Sequence, residues 1–304
     1  MTMPAHHEPT DRLGARNGGR GLWRALTSST GGCVGLGLAA VMLVIILFGP
    51  ALAPYSPTQI GLGVPNEAPS AAHLFGTDEL GRDILSRFLF GGRSVVLVPL
   101  AAVTLATLIG GGLGVLGAYA GVQPGLSWLD RAIGSLLDLT VALPPLLLAL
   151  VLIAGFGATP MVMILAVALI FAPRTGRIVR GATQAVVTSD YVAAAQARGE
   201  SISYILAREL LPNIAATVIA EFALRTTWAV IFVAALSFLG LGAQPPSSDW
   251  GLMVAQARSF ITVSPLAVLA PAFGIAVLSV ALNLIADGLD QYLDPNSRKT
   301  GSPL

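Results

Sequence analysis

The residues that could do chemistry in this chain are few and widely spaced. Glu221 and Arg225 stand four apart within an apolar run, on one helical face, where acid and base would neutralise each other. Asp138 lies in a second apolar run, six residues before Pro144. An ionisable group at that depth is a pathway candidate by default, but it can also bond to a neighbouring helix or cap a break at Pro144, and this structural role is the preferred reading. Asp287 falls at the edge of the last apolar run and needs no special role. His6, His7 and His73 have no cysteine or carboxylate at metal-ligand spacing, so they read as solvated loop histidines and no metal site is expected. The single cysteine, Cys33, can form no intrachain disulfide. The only lysine, Lys299, excludes a GxxxxGK[ST] phosphate loop and a buried Schiff-base lysine. No Ser/His/Asp set, aspartate pair or metal set converges, which argues against an enzyme.

The elements that must position these residues belong in a bilayer. Hydrophobic residues make up 54% of the chain and charged ones 11%, whereas a soluble domain carries about 25% charged residues. A net charge of +1 leaves no basic field for nucleic acid. Six runs reach the roughly 20 apolar residues a membrane helix needs, near 33–53, 94–118, 133–156, 160–180, 214–239 and 265–287. Gly110 to Gly112, Pro144, Pro145, Pro173 and Pro271 are tolerable there if neighbouring helices satisfy the freed backbone. Ala51-Leu52-Ala53 mimics a signal cleavage site, but the run is longer than a signal core and Pro54 follows, so the first span is read as uncleaved. Six crossings from a cytoplasmic N-terminus put twelve arginines and lysines inside (at 12, 16, 20, 24, 131, 174, 177, 180, 198, 208, 298 and 299) and four outside (at 82, 87, 93 and 258). That bias predicts an all-α membrane protein with both termini cytoplasmic.

Residues 189–213, SDYVAAAQARGESISYILARELLPN, then form a polar cytoplasmic insert between apolar runs. Thr188, Ser189 and Asp190 can cap a helix start. Residues 191–198 are helix formers, and Gly199 supplies the left-handed position that ends a helix. Ser201 can cap a second helix with Ile202, Ile205, Leu206 and Leu210 at helical spacing. Pro212 marks a boundary before the fifth span. The expected product is two short helices bent at Gly199, the first with a small alanine face that can enter a groove on another protein. In the loop from His73 to Arg93, HLFGTDELGRDILSRFLFGGR, Thr77 can cap a helix with Asp78 and Glu79 in its first turn. The apolar residues Leu80, Ile84, Leu85, Phe88 and Leu89 predict an amphipathic helix over 77–90 in the outer interface. Trp250, after a Gly- and Pro-rich break, suits an interfacial position.

The insert resembles the EAA loop of permease subunits of bacterial ABC importers. Ala194, Ala195, Gly199, Leu211, Pro212 and Asn213 fit that pattern, while Ala193 stands at the usual Glu and Glu209 at the usual His. GTDELGRD (Gly76, Thr77, Asp78, Glu79, Gly81, Arg82, Asp83) is similar to a signature of the second permease subunit of dipeptide, oligopeptide and nickel importers. Phe238–Arg258, FLGLGAQPPSSDWGLMVAQAR, and Leu293-Asp294-Pro295 match the same family's last outer loop and tail. The resemblance runs from about residue 30 to 298. It implies a type I ABC importer permease fold of six transmembrane helices, with a permease domain over 31–290 that includes a coupling loop at 188–213, and a cytoplasmic tail over 291–304. Residues 1–30 lie outside the resemblance and read as a polar cytoplasmic arm with a short surface helix at 21–29. The resemblance implies a multi-pass protein of the bacterial inner membrane that imports peptides, with nickel or glutathione as alternatives. It also implies a related second permease, two ATPase subunits that bind ATP and Mg, and an extracytoplasmic substrate-binding protein. The coupling residues would be Tyr191, Ala193, Ala194, Ala195, Gly199, Glu200, Leu211 and Pro212. A proton-coupled carrier would want several midplane ionisable groups and an inverted repeat, neither of which stands out.

Overall fold

The computed structural model describes residue 27 and residues 29–293. Most of the expected arm over 1–30, with its surface helix at 21–29, and most of the tail over 291–304 lie outside the described residues. The described chain is helical, with helices α1 (Thr30–Leu52), α2 (Ile84–Val122), α3 (Ser127–Ala142), α4 (Pro145–Phe156), α5 (Pro160–Val187), α6 (Asp190–Ala197), α7 (Ile202–Phe238), α8 (Trp250–Ala257) and α9 (Leu266–Leu293). Five of them are long and apolar enough to cross a membrane, and α3 with α4 makes a sixth if the bent pair is one span.

The third expected span, 133–156, is not continuous. Leu143 and Pro144 are extended, and α3 meets α4 at 88°. Two consecutive prolines remove two backbone donors, and each disfavours the helical conformation in the residue before it, so the helix cannot run through. The other spans are longer than the sequence suggested. At 1.5 Å per residue α2 is about 58 Å long, nearly twice the roughly 30 Å of a hydrocarbon core. Both its ends therefore leave the membrane and carry other parts of the structure.

One core joins α2, α4, α5 and α7 around Val103, Ile153, Val167 and Val233. A second joins α1, α2, α7, α8 and α9 around Met42, Ile84, Val230 and Trp250. Between them α2 crosses α5 at very close range. A Cβ on Gly110 would overlap the Ala172 carbonyl, and one on Gly114 would overlap the Gly176 carbonyl. Small residues four apart let two helix backbones touch, which is the packing that replaces hydrophobic drive inside a membrane. α2 accommodates the contact with a π-helical segment at Thr107–Gly111.

Trp250 is fully buried, not interfacial. Its ring stacks on Phe88 at 4.8 Å, and its indole N–H donates to the Phe88 carbonyl at 2.8 Å. The break before it folds the side chain inward because Gly91 and Gly274 leave the room it fills.

Candidate functional site

Two places gather the polar and motif residues, one at each end of α2. At the end that starts α2, residues 77–83 form a closed turn instead of the first turns of a helix. The Asp78 carboxylate accepts from the N–H groups of Leu80 and Arg82, at 2.9 and 3.0 Å, and Gly81 N–H donates to the Asp78 carbonyl. Gly76 and Gly81 have φ of +77° and +68°, and Thr77 bridges to Asp83. These contacts satisfy the backbone locally and leave nothing for a helix to gain. The helix expected over 77–90 therefore begins at Ile84 and is the outer end of the second span, not a separate surface element. Its cap is Asp83, not Thr77: Asp83 Oδ2 accepts from Ser86 N and Ser86 Oγ, both at 2.7 Å.

The signature residues knit this cap together. Asp78 Oδ2 accepts from Arg82 Nε at 2.7 Å and from Arg87 Nη1 at 2.5 Å, and all three side chains are buried. Arg87 also donates to Gln256 and to the Ser247 carbonyl, so it ties the cap to α8 and the loop before it. Thr77 Oγ1 donates to the Val64 carbonyl. Gly76 is close enough to the Glu67 carbonyl that a side chain would overlap it. Glu79 is half-buried and lies among these residues at the cap surface. His73, expected in solvent, is buried. Its Nδ1 lies 3.0 Å from Asp83 Oδ1, and its ring packs at 5.2 Å from that of Tyr55. This pairing is not legible from sequence, because a ten-residue separation inside a loop belongs to no secondary-structure period.

At the other end, α6 rests on the ends of α2 and α5. Val192 and Ala195, fully buried, pack with Tyr119 of α2, Val187 of α5, and Ile205 and Leu210 of α7. Tyr191, Ala193 and Ala194 turn outward. Ala195 is therefore an anchor and not part of the exposed alanine face. Gly199 takes φ +75° and closes α6: its N–H donates to the Gln196 carbonyl at 2.9 Å, and Glu200 N–H to the Ala195 carbonyl at 3.2 Å. This paired arrangement is the Schellman ending that glycine favours. Glu200 lies 3.6 Å from Arg198. Ser201 caps the next helix through Tyr204 N–H, as its position suggested.

The second helix of the insert is not separate. It continues through a π-helical segment, Ile205–Leu210, into the fifth span, with Leu211 and Pro212 exposed where the α-helix resumes. Pro212 falls in the first turn of the resumed α-helix, directly after the wider π turn, where proline is tolerated. The insert is thus one elbow: α6, a turn at Gly199, and the protruding end of α7.

Charges beside the elbow fasten α3 to α5. Arg180 pairs with Asp130 at 2.7 Å, and Arg177 with Asp138 at 2.5 Å. Asp138 thus has a structural partner and is largely exposed at the chain surface. Asp130 was missed, since at the start of α3 it looks like an ordinary loop charge. Glu221 and Arg225 pair within α7 as expected, and Thr175 of α5 adds a longer bond to Glu221.

Residues 110–299 match the model of the binding-protein-dependent transport system inner membrane component family, and residues 19–69 match that of the N-terminal TM domain of oligopeptide transport permease C. The chain is 34% identical to a dipeptide transport system permease protein of Alkalihalophilus pseudofirmus, over 97% of this chain and 95% of that one. It is 37% identical to a glutathione transport system permease protein of Pectobacterium atrosepticum, over 86% of each chain. It is 35% identical to a di/tripeptide transport system permease protein of Pseudomonas aeruginosa, over 90% of each. Among solved structures, a chain of the MetNI methionine ABC transporter in inward-facing conformations shares the fold, with a TM-score of 0.52 and 17% identity, over 67% of this chain and 96% of that one.

Proposed function

Since the chain belongs to the family of binding-protein-dependent transport system inner membrane components, we propose that it forms half of the translocation pore of a peptide importer and is driven through the α6–Gly199 elbow. It is a multi-pass permease of the bacterial inner membrane with the type I ABC importer fold, and its work is transport, not catalysis. The driving partners are two ATPase subunits, which hold ATP and Mg. The other half of the pore is a related permease, and an extracytoplasmic binding protein delivers substrate. Both termini lie in the cytoplasm, on the side of the elbow.

One observation carries the coupling role. α6 offers a small, solvent-facing platform, Ala193 and Ala194 beside Tyr191, on a helix whose opposite face is locked to α2, α5 and α7. A groove that grips this platform would move three long helices together. Peptide is the favoured substrate because relatives over nearly the whole chain are dipeptide and di/tripeptide permeases by name; glutathione, carried by others, is the runner-up.

The test is recovery of partners. A C-terminally tagged chain extracted gently from native membranes brings down ATPase subunits and a second permease, identified by mass spectrometry. Gly199→Val inserts normally but loses the ATPases, because a β-branched residue resists positive φ. Recovery of the wild-type chain alone would overturn the reading. Full ATPase recovery with Gly199→Val would overturn the role of the elbow.

A further inference from the structure

α5 and α9 diverge over α7 and leave an open cleft of about 280 Å³. Ile178, Thr217, Glu221, Leu224, Ala286 and Asp287 line it. That is many times the roughly 10–15 Å³ that a single water needs. α5, α7 and α9 share one set of ends, at the 157–159 and 239–265 loops. Measured from those ends at 1.5 Å per residue, the lining lies between about 21 Å (Leu224) and about 32 Å (Thr217 and Asp287) along the helices. The cleft therefore starts at the far edge of a hydrocarbon layer of about 30 Å and reaches back into it.

Its polar groups do not suit lipid. Glu221 Oε1 is taken by Arg225 and Thr175, while Oε2 has no donor among the described residues. Asp287 is exposed and has no hydrogen-bond or ion-pair partner among them. Arg174, one helical turn from Ile178 on α5, is exposed as well. Hydrocarbon against these groups would strip charges of solvent, so the face belongs to water or protein.

Building on the permease reading, we propose that this cleft is a water-filled stretch of the translocation passage, and that Glu221 and Asp287 bias it toward cationic groups such as the free ammonium end of a peptide. The residues that line the cleft include two carboxylates and no cation. Arg225 pairs with Glu221 from outside that lining and Arg174 stands one turn beyond it, so the acidic bias is local to the Asp287 side, where no counter-ion has to be displaced. Such a site attracts a passing ammonium and does not trap it.

The test uses thiol chemistry and needs no identified substrate. In a Cys33→Ser background, which removes the sole native thiol, Thr217→Cys and Leu224→Cys are placed one at a time in the full chain. Inside-out native membrane vesicles are treated without nucleotide with a cationic or an anionic methanethiosulfonate reagent, each rate being divided by its rate on a free thiol in solution. Both sites react, and the normalised rate for the cationic reagent exceeds that for the anionic one by about tenfold, as a focused acidic field requires. Asp287→Asn, a change at an exposed and unpaired group, reduces that preference. Reaction only with a lipid-soluble maleimide, reaction only after the partners are stripped away, or equal normalised rates would each overturn the proposal. ATPase recovery with the same variants reports on the permease reading separately, so cysteines shielded in an intact complex would sink the cleft and spare the transporter.

Discussion

Asp249 shows how single buried polar groups define this protein. It caps α8 through Leu252 N–H at 3.2 Å and accepts from Ser94 of α2 at 3.2 Å, in a loop outside the spans. Burial pushes its carboxyl above the usual 3.8, only partly offset by those bonds. A carboxyl raised in the folded state holds its proton more tightly there than in the unfolded chain. Its contribution is therefore greatest below the ordinary carboxylate range and declines as pH rises through that range toward the raised value. Asp249→Asn keeps an oxygen to cap α8 and removes the buried charge. The variant should gain thermal stability over wild type in detergent at pH 8 and lose that advantage near pH 4. A pH-independent difference would mean that the charge costs nothing. This residue, like His73, was invisible in the sequence, because its surroundings come from α2, some 155 positions away. Gly199, by contrast, was fully legible: its conformation is set by the six residues around it.

Among the elements, the α2–α5 crossing carries the most consequence for stability. Gly110→Leu would drive a side chain into the Ala172 carbonyl. Overpacking of that kind costs about 1–3 kcal/mol in a core that can adjust, and a backbone carbonyl adjusts poorly. The expected result is a chain that still inserts but melts earlier and is cleaved more readily by protease within α5. Gly112→Leu, where a Cβ meets nothing within 4 Å, is the control and should behave as wild type. The apolar runs were readable because hydropathy over some 20 residues is a local sum. Their ends were not. α2 and α7 extend past the hydrocarbon because packing with Trp250, Tyr119 and Val192 rewards helix outside the membrane, and no local sum records that. The turn at 77–83 was misread for a related reason: Asp78 and Glu79 suit a first helical turn, but Arg82 and Arg87 recruit Asp78 for an ion-pair network instead.

For the whole molecule, the arginine bias predicts that both termini share the cytoplasm with the elbow. Reporter fusions that glow only in the cytoplasm, placed after residue 304 and within the 188–190 turn, should both be bright, and one within 53–83 dark. A bright fusion in 53–83 would invert the topology. The family was legible because its motifs sit in loops whose sequences are constrained by turns, glycines and ion pairs. The cleft over α7 was not, since it exists only where α5 and α9 part company, and neither helix announces the gap.

The close crossing at Gly110 also has a mechanical meaning. Tyr119, where α6 rests, is nine residues from that point, or about 14 Å of helix, whereas Ile84, where the cap begins, is twenty-six residues away on the other side, about 39 Å. Gly114 touches α5 one turn beyond Gly110, so the two helices are clasped along a line and not at a point. A push on the alanine platform then enters α2 and α5 as one clasped body and reaches the cap at the far end of α2 undivided.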